Sequence, residues 1–141
     1  ETSPTPEPGA LPHGDETLLV VEDEEAVRHM IVEMLRECGY TVLEAGNASE
    51  ALPLGEHYEG RIDLLVTDVI MPKMNGVDMS QRLRNIRPDM GVLFISGYGD
   101  SAISRSILMQ PGTEMLAKPI DNMTLARTVR RMLDRANPTN S

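Results

Sequence analysis

Five polar residues in this 141-residue chain stand where apolar runs end. Glu22 and Asp23 follow the run TLLVV, and Asp68 closes LLVTD. Ser96 closes GVLFIS, and Lys118 closes EMLAK. Because a charge is costly to bury, a buried strand that ends on a carboxylate indicates that the carboxylate is used at that end.

The types of these residues suggest phosphoryl chemistry. Crowded carboxylates raise one another's pKa unless a cation joins them. Glu22, Asp23 and Asp68 offer oxygen ligands without sulfur or imidazole, which is the set that Mg²⁺ prefers. The ammonium of Lys118 and the hydroxyl of Ser96 are suited to hold phosphoryl oxygens. A carboxylate between a hard cation and a lysine can act as a nucleophile, so Asp68 is predicted to receive a phosphoryl group.

Each of these residues also has a simpler interpretation. An acidic run such as EDEE is common at the start of a helix, where the helix dipole favours it. A single Asp after a strand is usually a turn or cap residue. Ser96 fits the start of a loop, and Lys118 fits a solvated charge. The site hypothesis therefore depends on all five residues reaching one edge of the fold.

Two hydrophobic periods alternate along the chain and predict the elements that position these residues. Asn47 and Glu50 form a capping-box-like helix start, and Pro53 predicts that this helix is short, kinked or begun late. Residues Ser101–Gln110 form a weakly amphipathic segment, and Asp121 is predicted to cap a last helix. The predicted strands are 17–21, 40–45, 62–68, 91–96 and 114–118, with helical segments after each.

Strands that alternate with helices predict a parallel sheet covered on both faces. Right-handed crossovers favour a doubly wound arrangement, in which sites lie beyond the carboxyl ends of the strands. The five polar residues all fall at that predicted edge.

Composition excludes several classes of function. The net charge of −9 disfavours nonspecific binding to nucleic acid, and a chain with no Trp and one Phe lacks base-stacking platforms. No apolar run reaches the roughly 20 residues that a membrane helix needs. The single Cys38 fits a reducing compartment, so we expect a cytoplasmic protein. Residues 1–16 have a Pro-rich linker composition and 136–141 resemble a tail, so 17–135 is the predicted domain of a longer protein.

The motifs LLVVEDEEAVR, VTDVIMPKMNG, FISGYGD and LAKPI closely resemble the receiver domain of two-component response regulators. The resemblance covers most of the chain. It implies a flavodoxin-like fold, a five-stranded parallel sheet of order 2-1-3-4-5 with helices on both faces. It also implies that Asp68 takes phosphate from a phosphohistidine on a histidine kinase or a phosphotransfer protein.

The resemblance further implies a role for each site residue. Asp23 would bind Mg²⁺ directly, Glu22 would act mainly through water, and Ile70 would contribute its backbone carbonyl. Ser96 would be the hydroxyl that moves toward the phosphoryl group, and Lys118 its counter-charge. These roles belong to the family pattern and are expectations for this chain.

Four further expectations come from comparison with the family pattern. The bond before Pro119 is cis in many members. Met115 stands where the family usually has a Phe or Tyr switch residue, so the switch is expected to be muted or to use another side chain. Tyr98 falls where the family tunes dephosphorylation, although a surface role fits it nearly as well. The weak pattern of Ser101–Gln110 predicts an irregular fourth helix and signalling face.

The residues around these motifs are similar to those of receivers that are fused behind the kinase core of hybrid sensor histidine kinases. The domain itself is expected to hydrolyse its phosphate slowly and to be a monomer or weak dimer. Two alternatives stay open. One is an aspartate-nucleophile phosphatase, although Ile70 stands where those enzymes commonly carry an acid. The other is a pseudo-receiver that binds a partner without phosphorylation.

Overall fold

The computed structural model describes residues 12–69, 76–97 and 111–136. Within these ranges five parallel strands form one sheet in the order β2-β1-β3-β4-β5, as predicted. The strands are β1 (Thr17–Val21), β2 (Thr41–Ala45), β3 (Leu64–Asp68), β4 (Gly91–Ser96) and β5 (Thr113–Ala117). The helices are α1 (Glu25–Glu37), α2 (Ala48–His57), α3 (Gly76–Ile86) and α4 (Asn122–Ala136). The predicted segment Ser101–Gln110 lies outside the described residues.

Two apolar cores flank the sheet because successive strand residues point to opposite faces. Leu18 and Val20 face the core that α1 and α4 cover, whereas Leu19 and Val21 face the core of α2 and α3. β1 is therefore buried on both sides, which explains its uninterrupted apolar sequence. All four strand pairings are parallel, so the carboxyl ends of the strands meet at one edge.

The ends of three strands differ slightly from the predicted ones. β2 begins at Thr41 instead of Tyr40, and β3 begins at Leu64 instead of Ile62. β5 ends at Ala117, one residue before Lys118. The N–H of Lys118 still donates to the carbonyl of Ser96 at 2.8 Å, but Pro119 has no N–H with which to extend the ladder. Lys118 therefore lies just past the edge of the sheet.

The second helix begins directly after its cap in spite of its proline. The side chain of Asn47 accepts a hydrogen bond from the N–H of Glu50 at 3.0 Å, and the carboxylate of Glu50 accepts from Gly46 at 2.7 Å. Of the three predicted effects of Pro53 (a short, kinked or late-begun helix), the structure shows a short helix of 10 residues. Pro53 deprives only the carbonyl of Ser49 of an intrahelical partner, and both residues are exposed to water.

α4 connects the sheet to the segment that precedes β1. Arg130 of α4 forms a two-pronged ion pair with Glu16, at 3.1 and 2.6 Å, and also donates to the carbonyl of His13 at 3.1 Å. The N–H of Gly14 donates to the carbonyl of Cys38 at 3.0 Å. The last residues of the predicted linker therefore have defined partners in the domain. The boundary between 16 and 17 stays a prediction, and these bonds favour an earlier one.

No helix among the described residues is long and apolar enough to cross a membrane.

Candidate functional site

The carboxyl edge of the sheet collects the polar residues that the sequence singled out. Glu22 and Asp23 follow β1, Asp68 ends β3, Ser96 ends β4 and Lys118 follows β5. These four strands are neighbours in the order β1-β3-β4-β5, so the residues come from adjacent positions along the edge. The topology thus brings together residues that are up to 96 positions apart in the chain.

Three carboxylates form a cluster at this edge. One oxygen each from Glu22, Asp23 and Asp68 lies within 4.8 Å of the others. Glu22 and Asp68 are buried, with 1% and 7% of their surfaces exposed, whereas Asp23 is exposed. The cluster is therefore enclosed by protein on one side and accessible from solvent on the other.

Lys118 supplies the positive charge of the site. Its Nζ lies 3.2 Å from Oδ2 of Asp68 and donates a hydrogen bond to it. The same Nζ lies 3.9 Å from Oε1 of Glu22, which is within ion-pair distance but too long for a hydrogen bond. One ammonium therefore faces two of the three carboxylates of the cluster, so the acidic groups outnumber the basic one.

Burial and repulsion shift the ionisation of the site. Burial, with the charge of Asp68 adding to it, raises the pKa of Glu22 to about 7, although the N–H of Glu24 and the charge of Lys118 oppose the rise. Burial also raises the pKa of Asp68, against the hydrogen bond from Lys118. Burial alone would lower the pKa of Lys118, but its hydrogen bond to Asp68 and the nearby carboxylates raise it. The carboxyl groups of Glu22 and Asp68 therefore ionise less readily than they do in water, while Lys118 stays charged.

One carboxylate oxygen of Glu22 lacks a hydrogen-bond partner among the described residues. Its Oε2 accepts a hydrogen bond from the N–H of Glu24 at 3.1 Å, whereas its Oε1 is buried and no group in the described part of the chain donates to it. Buried polar atoms are rarely left unpaired, so this oxygen calls for a cation or a water molecule as its partner. An all-oxygen set of three carboxylates can hold a metal ion, and its chemistry fits a hard divalent cation.

Gly76, the first residue of α3, lies close to the backbone of Asp68 and Val69. Its N–H donates to the carbonyl of Val69 at 2.6 Å. A Cβ at this position would overlap the carbonyl oxygen of Asp68, so only glycine allows this close approach. The sequence showed Gly76 in the loop after β3 but gave no indication of this contact.

Two further residues named from the sequence have described positions on β4 and β5. Ser96 is buried at the end of β4, and its carbonyl accepts the N–H of Lys118. Met115 on β5 is paired in register with Phe94 and packs against the core of α2 and α3. The bond between Lys118 and Pro119 is cis, as the resemblance implied. The predicted roles of Ile70 and Tyr98 fall on residues outside the described part of the chain.

Arg28 of α1 is the residue at this edge that sequence reasoning missed. Its Nη1 donates to the backbone carbonyl of Glu22 at 2.9 Å, and its Nε donates to the carboxylate of Glu44 on β2 at 3.3 Å. An arginine near the start of a helix is unfavourable beside the helix dipole, and that was the signal available in the sequence.

The order of the sheet and the acid–lysine cluster at its carboxyl edge define a flavodoxin-like α/β domain with a candidate anion and cation site. Comparison with known families makes this class specific. The family model for the response regulator receiver domain matches residues 18–130, and the chain belongs to this family.

Individual relatives agree with the family. The chain is 41% identical over 122 residues to the sensor kinase CckA of Brucella abortus, which covers 86% of this chain and 13% of that protein. It is 29% identical over 116 residues to the response regulator receiver protein CpdR of the same organism, covering 82% of this chain and 95% of that protein. A crystal structure of the receiver domain from the hybrid histidine kinase CckA aligns with a TM-score of 0.72 and 42% identity, covering 83% and 98% of the two chains. This chain therefore spans only a small part of the first of these relatives.

Proposed function

We propose that this domain is the phosphoacceptor of a two-component phosphorelay, with Asp68 as the residue that receives the phosphoryl group. The observation that carries the proposal is the 3.2 Å contact between Lys118 and Asp68 at the edge of a three-carboxylate cluster. Membership of the receiver family supports the same assignment. The donor we propose is a phosphohistidine on a histidine kinase or a phosphotransfer protein.

In the proposed reaction a carboxylate oxygen of Asp68 attacks the phosphorus of the donor. The P–N bond of the phosphohistidine breaks, and the imidazole leaves with the electron pair and takes up a proton. The ammonium of Lys118 neutralises charge on the phosphoryl oxygens, and the hydroxyl of Ser96 is proposed to move toward them. Slow attack by water later returns free Asp68 and inorganic phosphate.

Mg²⁺ is the proposed cofactor, since the donor set contains only carboxylate oxygens. When bound, it supplies a positive centre that offsets the charge of the carboxylates and of the incoming phosphate. Asp23 is proposed as a direct ligand, with Glu22 acting through water and Ile70 through its backbone carbonyl. The unpaired Oε1 of Glu22 supports a role for this residue in holding the hydrated cation.

The wider setting is proposed from the relatives. The match to part of a sensor kinase suggests that residues 17–135 form the receiver of a longer histidine kinase that works in the cytoplasm. We propose that phosphorylation shifts an equilibrium between two conformations, with Met115 taking part in the switch and Tyr98 adjusting the lifetime of the phosphate. The domain is proposed to act as a monomer or weak dimer.

Intact-mass spectrometry after incubation with acetyl phosphate tests the proposal. We expect a gain of one phosphate that depends on Mg²⁺ and is lost in Asp68→Asn. The exposed Asp89 provides a matched control, and Asp89→Asn should be labelled like the original protein. Equal labelling of Asp68→Asn would contradict the site assignment.

A parallel incubation with beryllofluoride tests for a phosphorylated form that is too short-lived to be detected. Beryllofluoride mimics the phosphoryl group without being hydrolysed, so a Mg²⁺-dependent spectral change should occur even where the phosphate itself is lost quickly. The absence of both labelling and a beryllofluoride response would favour a pseudo-receiver.

A further inference from the structure

Arg28 occupies an unusual position for an arginine. It lies in the first turns of α1, where the helix dipole favours acidic residues, and Glu25 supplies such a residue there. Its side chain is nevertheless 19% exposed, folded back over the start of the helix. A half-buried arginine in an unfavourable dipole field must have specific partners that hold it there.

The partners of Arg28 lie at the rim of the carboxylate cluster. Nη1 donates to the backbone carbonyl of Glu22 at 2.9 Å, and Nε donates to the carboxylate of Glu44 at 3.3 Å. The guanidinium also lies against Gly46, where a Cβ would approach Nη1 to 3.1 Å. Arg28 therefore spans the ends of β1 and β2 and has little room for another orientation.

The contact with the Glu22 carbonyl affects the next residue directly. The peptide group is planar, so the orientation of that carbonyl fixes the plane that carries the N–H of Asp23. The other side of Glu22 is held by its own N–H, which donates to the carbonyl of Ala45 at 3.2 Å. With both backbone groups of Glu22 bonded, the starting direction of Asp23 is set.

We infer that Arg28 is a positioning residue for the divalent cation at this edge. By holding the Glu22–Asp23 peptide plane, it keeps the exposed carboxylate of Asp23 in reach of the buried ones. Glu44 in turn orients the guanidinium. This inference rests on the proposed function, because it needs the carboxylate cluster to bind Mg²⁺.

Charge and position predict opposite effects of removing Arg28. Loss of a positive charge near a cation site strengthens cation binding by Coulomb attraction. Loss of the contact that orients a ligand weakens it, and outer-shell partners of metal ligands typically contribute about tenfold or more in affinity. The sign of the change in affinity therefore separates the two roles.

Calorimetric titration of the protein with MgCl₂ measures this sign. We expect Arg28→Met to raise the dissociation constant for Mg²⁺ about tenfold. Arg28→Lys should recover part of the affinity, because an ammonium can donate one bond to the Glu22 carbonyl but lacks the rigidly spaced second N–H that reaches Glu44. Circular dichroism of each variant checks that it is folded.

Arg36 provides a matched control on the same helix. It donates to the backbone carbonyl of Val42 at 3.0 Å and pairs with Glu44 at 3.7 Å, but it lies two turns farther along α1. Arg36→Met therefore removes the same charge and a backbone-carbonyl contact farther from the cluster, and it leaves Arg28 with both of its own bonds, to the Glu22 carbonyl and to Glu44. Its affinity for Mg²⁺ should equal that of the original protein.

The outcomes are distinct. Binding by Arg28→Met that is as tight as the original, or tighter, would overturn the positioning role. If Arg28→Met fails to fold, Arg28→Lys decides, and an unchanged affinity in that variant would overturn the inference. Failure of the original protein to bind Mg²⁺ would instead contradict the proposed function itself.

Discussion

The burial of Glu22 makes the free energy of unfolding depend on pH. The raised pKa of this carboxyl gives the sign and the size of that dependence. A carboxyl with a folded-state pKa of about 7, against an ordinary value of 4.5, holds its proton longer in the folded state than in the unfolded state. Between these two pH values the unfolded chain binds fewer protons, so the free energy of unfolding falls as the pH rises. The fall is about 3 kcal/mol, since one pKa unit corresponds to about 1.4 kcal/mol.

The variant Glu22→Gln isolates this contribution. Its amide has nearly the same shape and cannot ionise, so the variant should lack this loss of stability. Urea unfolding followed by circular dichroism, in EDTA at pH 4.5 and pH 8, gives the free energy of unfolding of both proteins. Any change that is independent of pH, such as altered packing around the amide, cancels when the two pH values are compared. We expect the original protein to lose about 3 kcal/mol more than the variant over this range.

Glu59 is exposed and lies outside the cluster, so Glu59→Gln serves as the control and should keep the pH dependence of the original protein. MgCl₂ should stabilise the original protein more at pH 8 than at pH 4.5, because a cation competes with the proton for the carboxylates. A difference between the original protein and Glu22→Gln below about 1 kcal/mol would refute the reasoning. It would mean that Glu22 is already ionised in the metal-free fold.

Three further changes test other contacts. Asp23→Ala should stabilise the metal-free fold by relieving repulsion and should abolish the rise in melting temperature caused by MgCl₂; an unchanged rise would argue against direct ligation. Gly76→Ala should lower the free energy of unfolding by about 1–3 kcal/mol in urea, because its Cβ displaces the backbone of Asp68, and an unaltered stability would show that the loop yields freely. Arg130→Met should lower stability by about 1–2 kcal/mol at pH 7 by removing the paired bonds to Glu16. Burial raises the pKa of Glu16, but the hydrogen bonds and charge of Arg130 outweigh it and hold that pKa below its ordinary value of 4.5. The difference should therefore shrink as the pH falls below 4.5, to the part that the bond to the His13 carbonyl contributes, and a constant difference would exclude the ion pair as its source.

The strands could be predicted from the sequence because a strand that is buried on both faces is an uninterrupted run of apolar residues. The run TLLVV reads as a doubly covered strand, and residues such as Leu18 and Leu19 are fully buried in opposite cores. The sequence also predicted the cap at Asp121, and the structure confirms it: the carboxylate of Asp121 accepts a hydrogen bond from the N–H of Thr124 at 2.9 Å. Strand ends that meet at one edge then placed Asp68 and Lys118 together without knowledge of any distance.

Contacts between residues that are far apart in the chain could not be predicted from the sequence. The ion pair between Glu16 and Arg130 joins positions 114 apart and depends on where α4 packs. The reach of Arg28 to the Glu22 carbonyl depends on how α1 leaves β1. The unpaired Oε1 of Glu22 depends on the packing around one oxygen atom. None of these leaves a periodic signal, because each is set by tertiary geometry.

Borohydride trapping tests whether Asp68 is the residue that is phosphorylated. Sodium borohydride reduces an aspartyl phosphate to homoserine, so tandem mass spectrometry of the protein treated with acetyl phosphate and Mg²⁺ identifies the phosphorylated residue. We expect homoserine at position 68, dependent on Mg²⁺ and absent from a sample without phosphodonor. Homoserine at position 23 or another aspartate, with position 68 unmodified, would contradict it.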